Sequence, residues 1–260
     1  MTTLKELLKY RDLLYMITLR DIRVKYKQSV MGIMWAVLMP IIICLAGLLV
    51  KEGMSLLSNK PISMPDVGFI LVKSIPWAFF VSSVRFSANS LLANANLITK
   101  IYFPKAIFPV AAVISQLFDL VVASLLLCVI LTFMRFGVSV NLLWVPVLLI
   151  MLILFTMGLG ALLSAANLFY RDVKYLVEVV LTFAIFVTPV FYNVSMFGKW
   201  GNLLLLNPVA PILEGLGSCV VLHSRPEIRW MAYSAVVSVG VAVFGFICFR
   251  KMESFFAERI

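Results

Sequence analysis

Histidine is nearly absent from this chain: 260 residues contain one, His223. That excludes a histidine metal site and leaves no spare parts for a Ser/His/Asp triad. His223 sits beside Ser224 and Arg225 and reads as a solvated loop residue. Four cysteines, Cys44, Cys128, Cys219 and Cys248, are scattered through apolar sequence without paired spacing. They read as buried thiols, with no disulfide or zinc role. No G-x-x-x-x-G-K-[ST] phosphate loop occurs, so the chain cannot itself be a P-loop ATPase. Its 12 carboxylates fall mostly in turns, and no pair is spaced for glycosidic acid–base work. Strict alternation of apolar and polar residues is missing, which argues against a β-barrel. There is no low-complexity tract, no Pro/Gly/Ser-rich linker and no clear internal repeat, so a transporter built from inverted halves is not supported. The first apolar run follows about thirty amphipathic residues, unlike the short charged tip of a cleavable signal. Any chemistry that needs a folded aqueous domain must come from a partner.

What the chain has is hydrocarbon. Hydrophobic residues make up 63% and charged residues 13% of it, and the mean hydropathy is +1.06. A soluble domain is never so apolar, whereas a membrane-spanning helix needs about 20 such residues. Apolar runs lie at 31–50, 69–92, 107–134, 142–169, 175–195, 203–222 and 230–249. The run 203–222 carries Asn207, Pro208, Pro211, Glu214 and two glycines. It could not cross lipid as one regular helix and reads as two short helices that dip in and return on one face. The expectation is an all-α integral membrane protein, a single transmembrane domain over 1–260 with six spans and one re-entrant pair before the last span.

The formal charge is +10. In a soluble protein it would raise nucleic acid as a partner; here the basic residues flank apolar spans, and the positive-inside rule explains them. With the N-terminus inside, fourteen of the 22 Lys and Arg fall in the cytoplasmic segments 1–30, 94–106, 170–174 and 250–260. Both termini are therefore expected in the cytoplasm. Lys51, Lys60, Lys73, Arg135, Lys199, Arg225 and Arg229 go to the outer segments.

Residues 4–27 form a basic amphipathic run. Leu4, Leu7, Leu8, Leu14, Tyr15, Leu19, Ile22 and Tyr26 share one side of a helix, and Lys5, Lys9, Arg20, Arg23 and Lys27 flank the other. Such a helix lies in a membrane surface with its cations toward anionic headgroups. Between the second and third spans, residues 96–103 form a short helix with Ile98, Ile101 and Tyr102 on one face and Lys100 beside them. On the residues alone it is either a docking helix, too short to stand without a partner, or a turn that joins two spans. Arg171, Asp172 and Lys174 make a tight turn between spans four and five. Arg85 and Glu178 sit at similar depths near the inner boundary, about 10 Å in, whereas Asp119 lies about 20 Å in. Depth therefore pairs Arg85 with Glu178, a pair or pathway group inside the spans. Phe183, Phe186, Phe191 and Tyr192 lie on the fifth span, where position alone favours packing. Pro189 is expected to kink that span.

Four blocks then carry a resemblance: RDIRVKYKQSVMGIMWAVLMP (Arg20–Pro40), NANLITKIYFPKAIFPVAAVISQLFDL (Asn94–Leu120), NLFYRDVKYLVEVVLTFAIFVTPVFY (Asn167–Tyr192) and LNPVAPILEGL (Leu206–Leu216). In order and over nearly the whole chain, they resemble the permease subunit of ABC type-2 polysaccharide exporters, with the O-antigen branch favoured by the first block. The resemblance implies a homodimer bound to two copies of a separate ATPase that holds ATP and magnesium, with no cofactor in this chain. It implies export of a lipid-linked O-antigen polysaccharide across the bacterial inner membrane. The 4–27 helix becomes an interface helix at the channel entrance, with Lys5, Lys9, Arg20, Arg23, Lys25 and Lys27 near headgroup or substrate phosphate. Asn96, Ile98, Lys100, Ile101, Tyr102 and Phe103 become the coupling helix. Arg85, Phe183, Phe186 and Tyr192 become channel-lining candidates, and Asn207, Pro208, Pro211 and Glu214 belong to the outer gate. Capsule or teichoic-acid export, small-molecule export and an integral membrane glycosyltransferase are the alternatives; the last needs acidic groups in substantial loops, which this chain lacks.

Overall fold

The computed structural model describes residues 8–27, 32, 34–58, 63–100 and 103–256, and among them every regular element is helical. In chain order, α1 is Arg11–Lys27, α2 Met34–Ser58, α3 Met64–Ala93, α4 Ala95–Lys100 and α5 Ile107–Phe133. A 3-10 turn, Val140–Leu143, leads into α6, Trp144–Phe169, and α7 is Val173–Val187. A second 3-10 stretch, Val194–Trp200, precedes the short α8, Gly201–Leu204; α9 is Val209–Val220 and α10 Ile228–Glu253.

α3 is the axis of the bundle. It is apolar nearly all round and carries little amphipathic bias, which is the pattern of a helix with neighbours on every side. Ile70, Trp77, Phe79, Val84 and Leu91 are all buried under α2, α5, α6, α7 and α9. Its start is set locally: the Ser63 side chain accepts from the Asp66 N–H while the Asp66 carboxylate accepts from the Ser63 N–H. Lys51 at the end of α2 pairs with the same carboxylate at 3.0 Å, closing the corner.

The tightest contact joins α6 and α10. A Cβ on Gly158 would stand 2.5 Å from the Ala242 Cα, and one on Gly245 2.3 Å from the Gly158 carbonyl oxygen. Small residues here let two backbones touch, which is how helices associate where lipid removes the hydrophobic drive. At one end of the bundle, Ile17, Leu91, Ile98, Phe103, Phe108, Phe249 and Phe256 share a core, so α1, α4 and the end of α10 meet there. The two 3-10 stretches, α8 and α9 lie at the far end.

Among the described residues, five helical stretches are long and apolar enough to cross a membrane: Met34–Gly53, Met64–Ala93, Ile107–Phe133, Val140–Phe169 and Ile228–Glu253. The protein is thus a multi-pass helical membrane protein. The expected fifth span, 175–195, differs. Its helix is α7, 15 residues long, or about 22 Å at 1.5 Å per residue. Thr188 is already extended, at φ −95° and ψ 133°. The reason is Pro189, which lacks an N–H and pushes the residue before it out of the helical region; a termination replaces the expected kink. The 203–222 run is broken as expected, into α8 and α9, at Leu205–Pro208. Three residues assigned to outer segments sit inside α-helices instead: Lys51 in α2, Lys73 in α3 and Arg229 in the first turn of α10.

Candidate functional site

A cavity of about 480 Å³ lies between the end of α1 and α2, α3, α5 and α7. Trp35, Trp77 and Phe86 give it aromatic walls, and Lys25, Arg85 and Asp119 give it charge. Arg85 arrives from α3 and pairs, as its depth required, with Glu178 of α7, Nε to Oε1 at 2.6 Å. Both side chains are 43% exposed, so the pair is not enclosed by its own bundle.

Asp119 has other partners. Lys25 and Tyr26 from the last turn of α1 both donate to its carboxylate, and Lys25 also donates to the Gln116 side-chain oxygen at 3.0 Å. The Lys25 ammonium lies 5.3 Å from the centre of the Phe86 ring. Burial first, and then the Asp119 carboxylate, raises the Tyr26 hydroxyl above its ordinary range, which keeps it a donor. This clasp corrects the reading of the amphipathic run. α1 packs along α5 with Leu14, Ile17, Thr18, Ile22, Lys25 and Tyr26 inward, whereas Leu8 and Tyr15 from the expected apolar face are exposed. Sequence periodicity grouped the apolar residues; a carboxylate 94 positions away chose the face. Lys25, placed near phosphate at the sequence level, is instead engaged inside the protein. Arg20 pairs with Asp21 at 2.7 Å, Lys9 is exposed beside the Tyr10 ring, and Arg23 and Lys27 face outward. Lys5 lies outside the described residues.

At the terminal end, α4 occupies Ala95–Lys100, starting one residue before the expected 96–103. Ile98 is turned inward, 4% exposed, beneath Ile17, Leu91 and Phe108, and Phe103 packs edge-on against Phe108. Both therefore root the segment in its own bundle, and Asn96 and Thr99 are left on the open side. Ile101 and Tyr102 lie outside the described residues, as does the Lys100 side chain. From the other end of the chain, the Glu253 carboxylate accepts the Lys105 N–H at 2.7 Å. A helix N-terminus is where an anion is welcome, and this contact ties the end of α10 to the loop that follows α4. Behind it, Asn167 is fully buried and donates to the Ala88 carbonyl at 3.0 Å while accepting from the Lys174 N–H at 3.2 Å. The turn from α6 into α7 is thereby fixed to α3.

α7 packs chiefly on α3 through Val177 and Leu181, the two buried residues of the helix. Phe183 and Phe186 stand on its open side, 62% and 65% exposed. Directly after it the chain plunges inward: Thr188, Pro189, Val190 and Phe191 are buried, and Phe191 lies under Gly47 of α2. Tyr192 donates to the Phe186 carbonyl at 2.9 Å and meets the Phe197 ring edge-on.

The far-end residues form a bonded set. The Asn207 amide donates to the Thr188 hydroxyl at 2.8 Å, and its oxygen accepts the Val209 N–H, which starts α9. The Pro208 carbonyl accepts from Ser234, and the Leu206 carbonyl from Tyr233, both on α10. Pro211 is buried. Glu214 pairs with Lys73 at 2.8 Å. Lys73 is the residue that charge counting missed: it stands in the middle of an apolar run, the same signal that singled out Arg85. Among the described residues no cluster could hold a metal ion.

Comparison with known proteins places these features. The profile of a family described as ABC-2 type transporter matches residues 12–220. Three curated proteins, each named O-antigen export system permease protein RfbA, align along nearly the whole chain. One from Myxococcus xanthus is 28% identical over 98% of this chain and 98% of its own. Two from Klebsiella pneumoniae are 27% identical over 95% of this chain and 94% of their own length, and 26% over 93% and 94%.

Proposed function

The chain belongs to the ABC-2 type transporter family, and from that premise we propose that it forms the channel of an ATP-driven exporter of lipid-linked O-antigen polysaccharide in the bacterial inner membrane. It is a transport subunit and works with a separate ATPase. One observation carries the cargo: three curated relatives, each spanning at least 93% of this chain, are all named O-antigen export permeases.

In this reading two copies pair, each with its own ATPase subunit, and both termini face the cytoplasm. α7 with the 188–193 segment completes six spans. α1 is the interface helix, and its outward cations Lys9, Arg23 and Lys27, with Lys5 before them, meet headgroup or substrate phosphate. α4 with residues 101–103 is the coupling element. Asn96 and Thr99 stand on the open side of α4; Lys100, Ile101 and Tyr102 are assigned to the ATPase contact from the sequence, and Ile98 and Phe103 pass the push inward to the shared core. Arg85 and the open aromatic face of α7, with Phe183, Phe186 and Tyr192, line the glycan's path. Aromatic faces hold sugars weakly and repeatedly, so a chain can slide while it is held. Asn207, Pro208, Pro211 and Glu214 close the outer end. ATP binding in the partner then moves the bundle between two packings.

Deletion of this chain in its native host tests the reading. The expected result is full-length polymer trapped inside the cell. Loss of the polymer altogether would point to an enzyme, and normal surface polymer would point to a small-molecule exporter.

A further inference from the structure

Lys73 lies nine residues past Met64 on α3, about 14 Å along the helix at 1.5 Å per residue. Its side chain is wholly enclosed, with 0% exposed. The ammonium spends its three protons on three acceptors: the Glu214 Oε1 at 2.8 Å, the Asn193 Oδ1 at 3.0 Å and the Tyr192 carbonyl at 3.1 Å. The Phe69 ring covers it, with its centre 5.0 Å away. The same Glu214 oxygen also accepts the Val194 N–H at 3.0 Å. One buried cation therefore joins three separate pieces of chain: α3, the turn after α7, and α9.

Such a pair is poor glue. Desolvating two charges costs about what their attraction returns, and well-packed apolar residues of like volume hold a fold as well or better. What an ion pair adds is a single geometry, and this one sits where geometry matters, across the far end of the bundle. α9 supplies Glu214; the turn supplies Tyr192 and Asn193, immediately beyond the open face of α7. Glu214 is 21% exposed, so one side of the node is open, and its polar groups can accept water in place of protein contacts. An apolar plug has no comparable substitute.

We propose that Lys73 is the positioning residue of the outer gate: it holds α9 and the Tyr192–Val194 turn together as one closed body, and the seal depends on it. This rests on the export reading above. Lys73 acts through Glu214 and the turn and need not touch the cargo.

The test uses the assembled permease and ATPase in proteoliposomes loaded with carboxyfluorescein, without ATP. Lys73→Met alone would leave Glu214 without its cation, so the informative variant is Lys73→Met with Glu214→Leu, which removes both charges together. It is expected to insert and bind the ATPase as wild type does, yet to release dye at least tenfold faster. Lys73→Arg, which keeps a cation and N–H donors for the same acceptors, should hold the seal as wild type does. A double variant as tight as wild type would overturn the proposal, as would a Lys73→Arg chain that leaks as the double variant does. Failure of the double variant to insert would make the node a folding element and also overturn it. Dye release reads the seal whatever the cargo, so an error about the polysaccharide would not change this result.

Discussion

Breaking the Arg85–Glu178 pair separates a strut from a pathway group by magnitude alone. The pair is close, 2.6 Å, but each side chain is 43% exposed. Ion pairs this open contribute about 0–1 kcal/mol. Glu178→Gln keeps the shape and an acceptor for Nε, so it should lower stability by at most about 1 kcal/mol. If the pair were only a strut, no equilibrium in the transport cycle would shift by more than about fivefold, the equivalent of 1 kcal/mol. Glu178→Arg is the stronger perturbation. It sets two cations together beside a cavity whose carboxylate, Asp119, is already engaged by Lys25 and cannot compensate. Export should then fall by more than about tenfold, a cost above 1.4 kcal/mol, while the chain still inserts and still captures its ATPase. Arg85→Glu combined with Glu178→Arg rebuilds the pair at the same depth and should return export to within about threefold of wild type, under 1 kcal/mol. The assay is the rate at which polymer reaches the cell surface, at matched permease levels. A swap that rescues nothing, or a Glu178→Arg chain that exports normally, would refute the assignment of this pair to the path.

Two further outcomes are expected. Gly158→Leu drives a side chain into the backbone of α10 at Ala242; overpacking of this kind costs about 3 kcal/mol or more, and thermal unfolding in detergent should show a large loss where Leu159→Met shows almost none. Asp119→Asn weakens the clasp on α1 and leaves Lys25 short of a counter-charge, so limited proteolysis should cut α1 faster; Lys25→Met with Asp119→Leu, which removes both charges, should be cut at a rate nearer to wild type.

Much of the architecture was legible because lipid leaves few options. A chain in hydrocarbon must satisfy its backbone internally, so length and hydropathy alone mark out α5, α6 and α10 within a few residues, while α2 runs on to Ser58, past the expected 50, and α3 starts at Met64, before the expected 69. The break in 203–222 was equally readable: Asn207 and Pro208 end one helix and begin another by local chemistry. Arg85–Glu178 was found from depth, because both residues lie near helix ends whose position along the membrane normal is set by the turns beside them.

Other features were not local. The inward face of α1 could not be read from its own periodicity, since Leu8 and Tyr15 are apolar yet exposed while Lys25 is turned in by Asp119. Ile98 shared a helical face with residues assigned to a partner, but the core formed by α1, α5 and α10 claimed it first. Lys73 was counted with the loops because charge counting treats every cation alike; its acceptors come from residues more than a hundred positions later.

By itself, then, the sequence determined that this protein is an all-helical transport subunit in a membrane, with no phosphate loop of its own, and which stretches are long and apolar enough to cross. Those properties follow from composition and from rules that act within one helix or one turn. Only the tertiary structure decided which charges meet, which face of α1 is buried and where α7 stops being free. Each of those is a choice among partners distant in the chain, and a buried charge settles on whichever partner the packed bundle brings within hydrogen-bond reach.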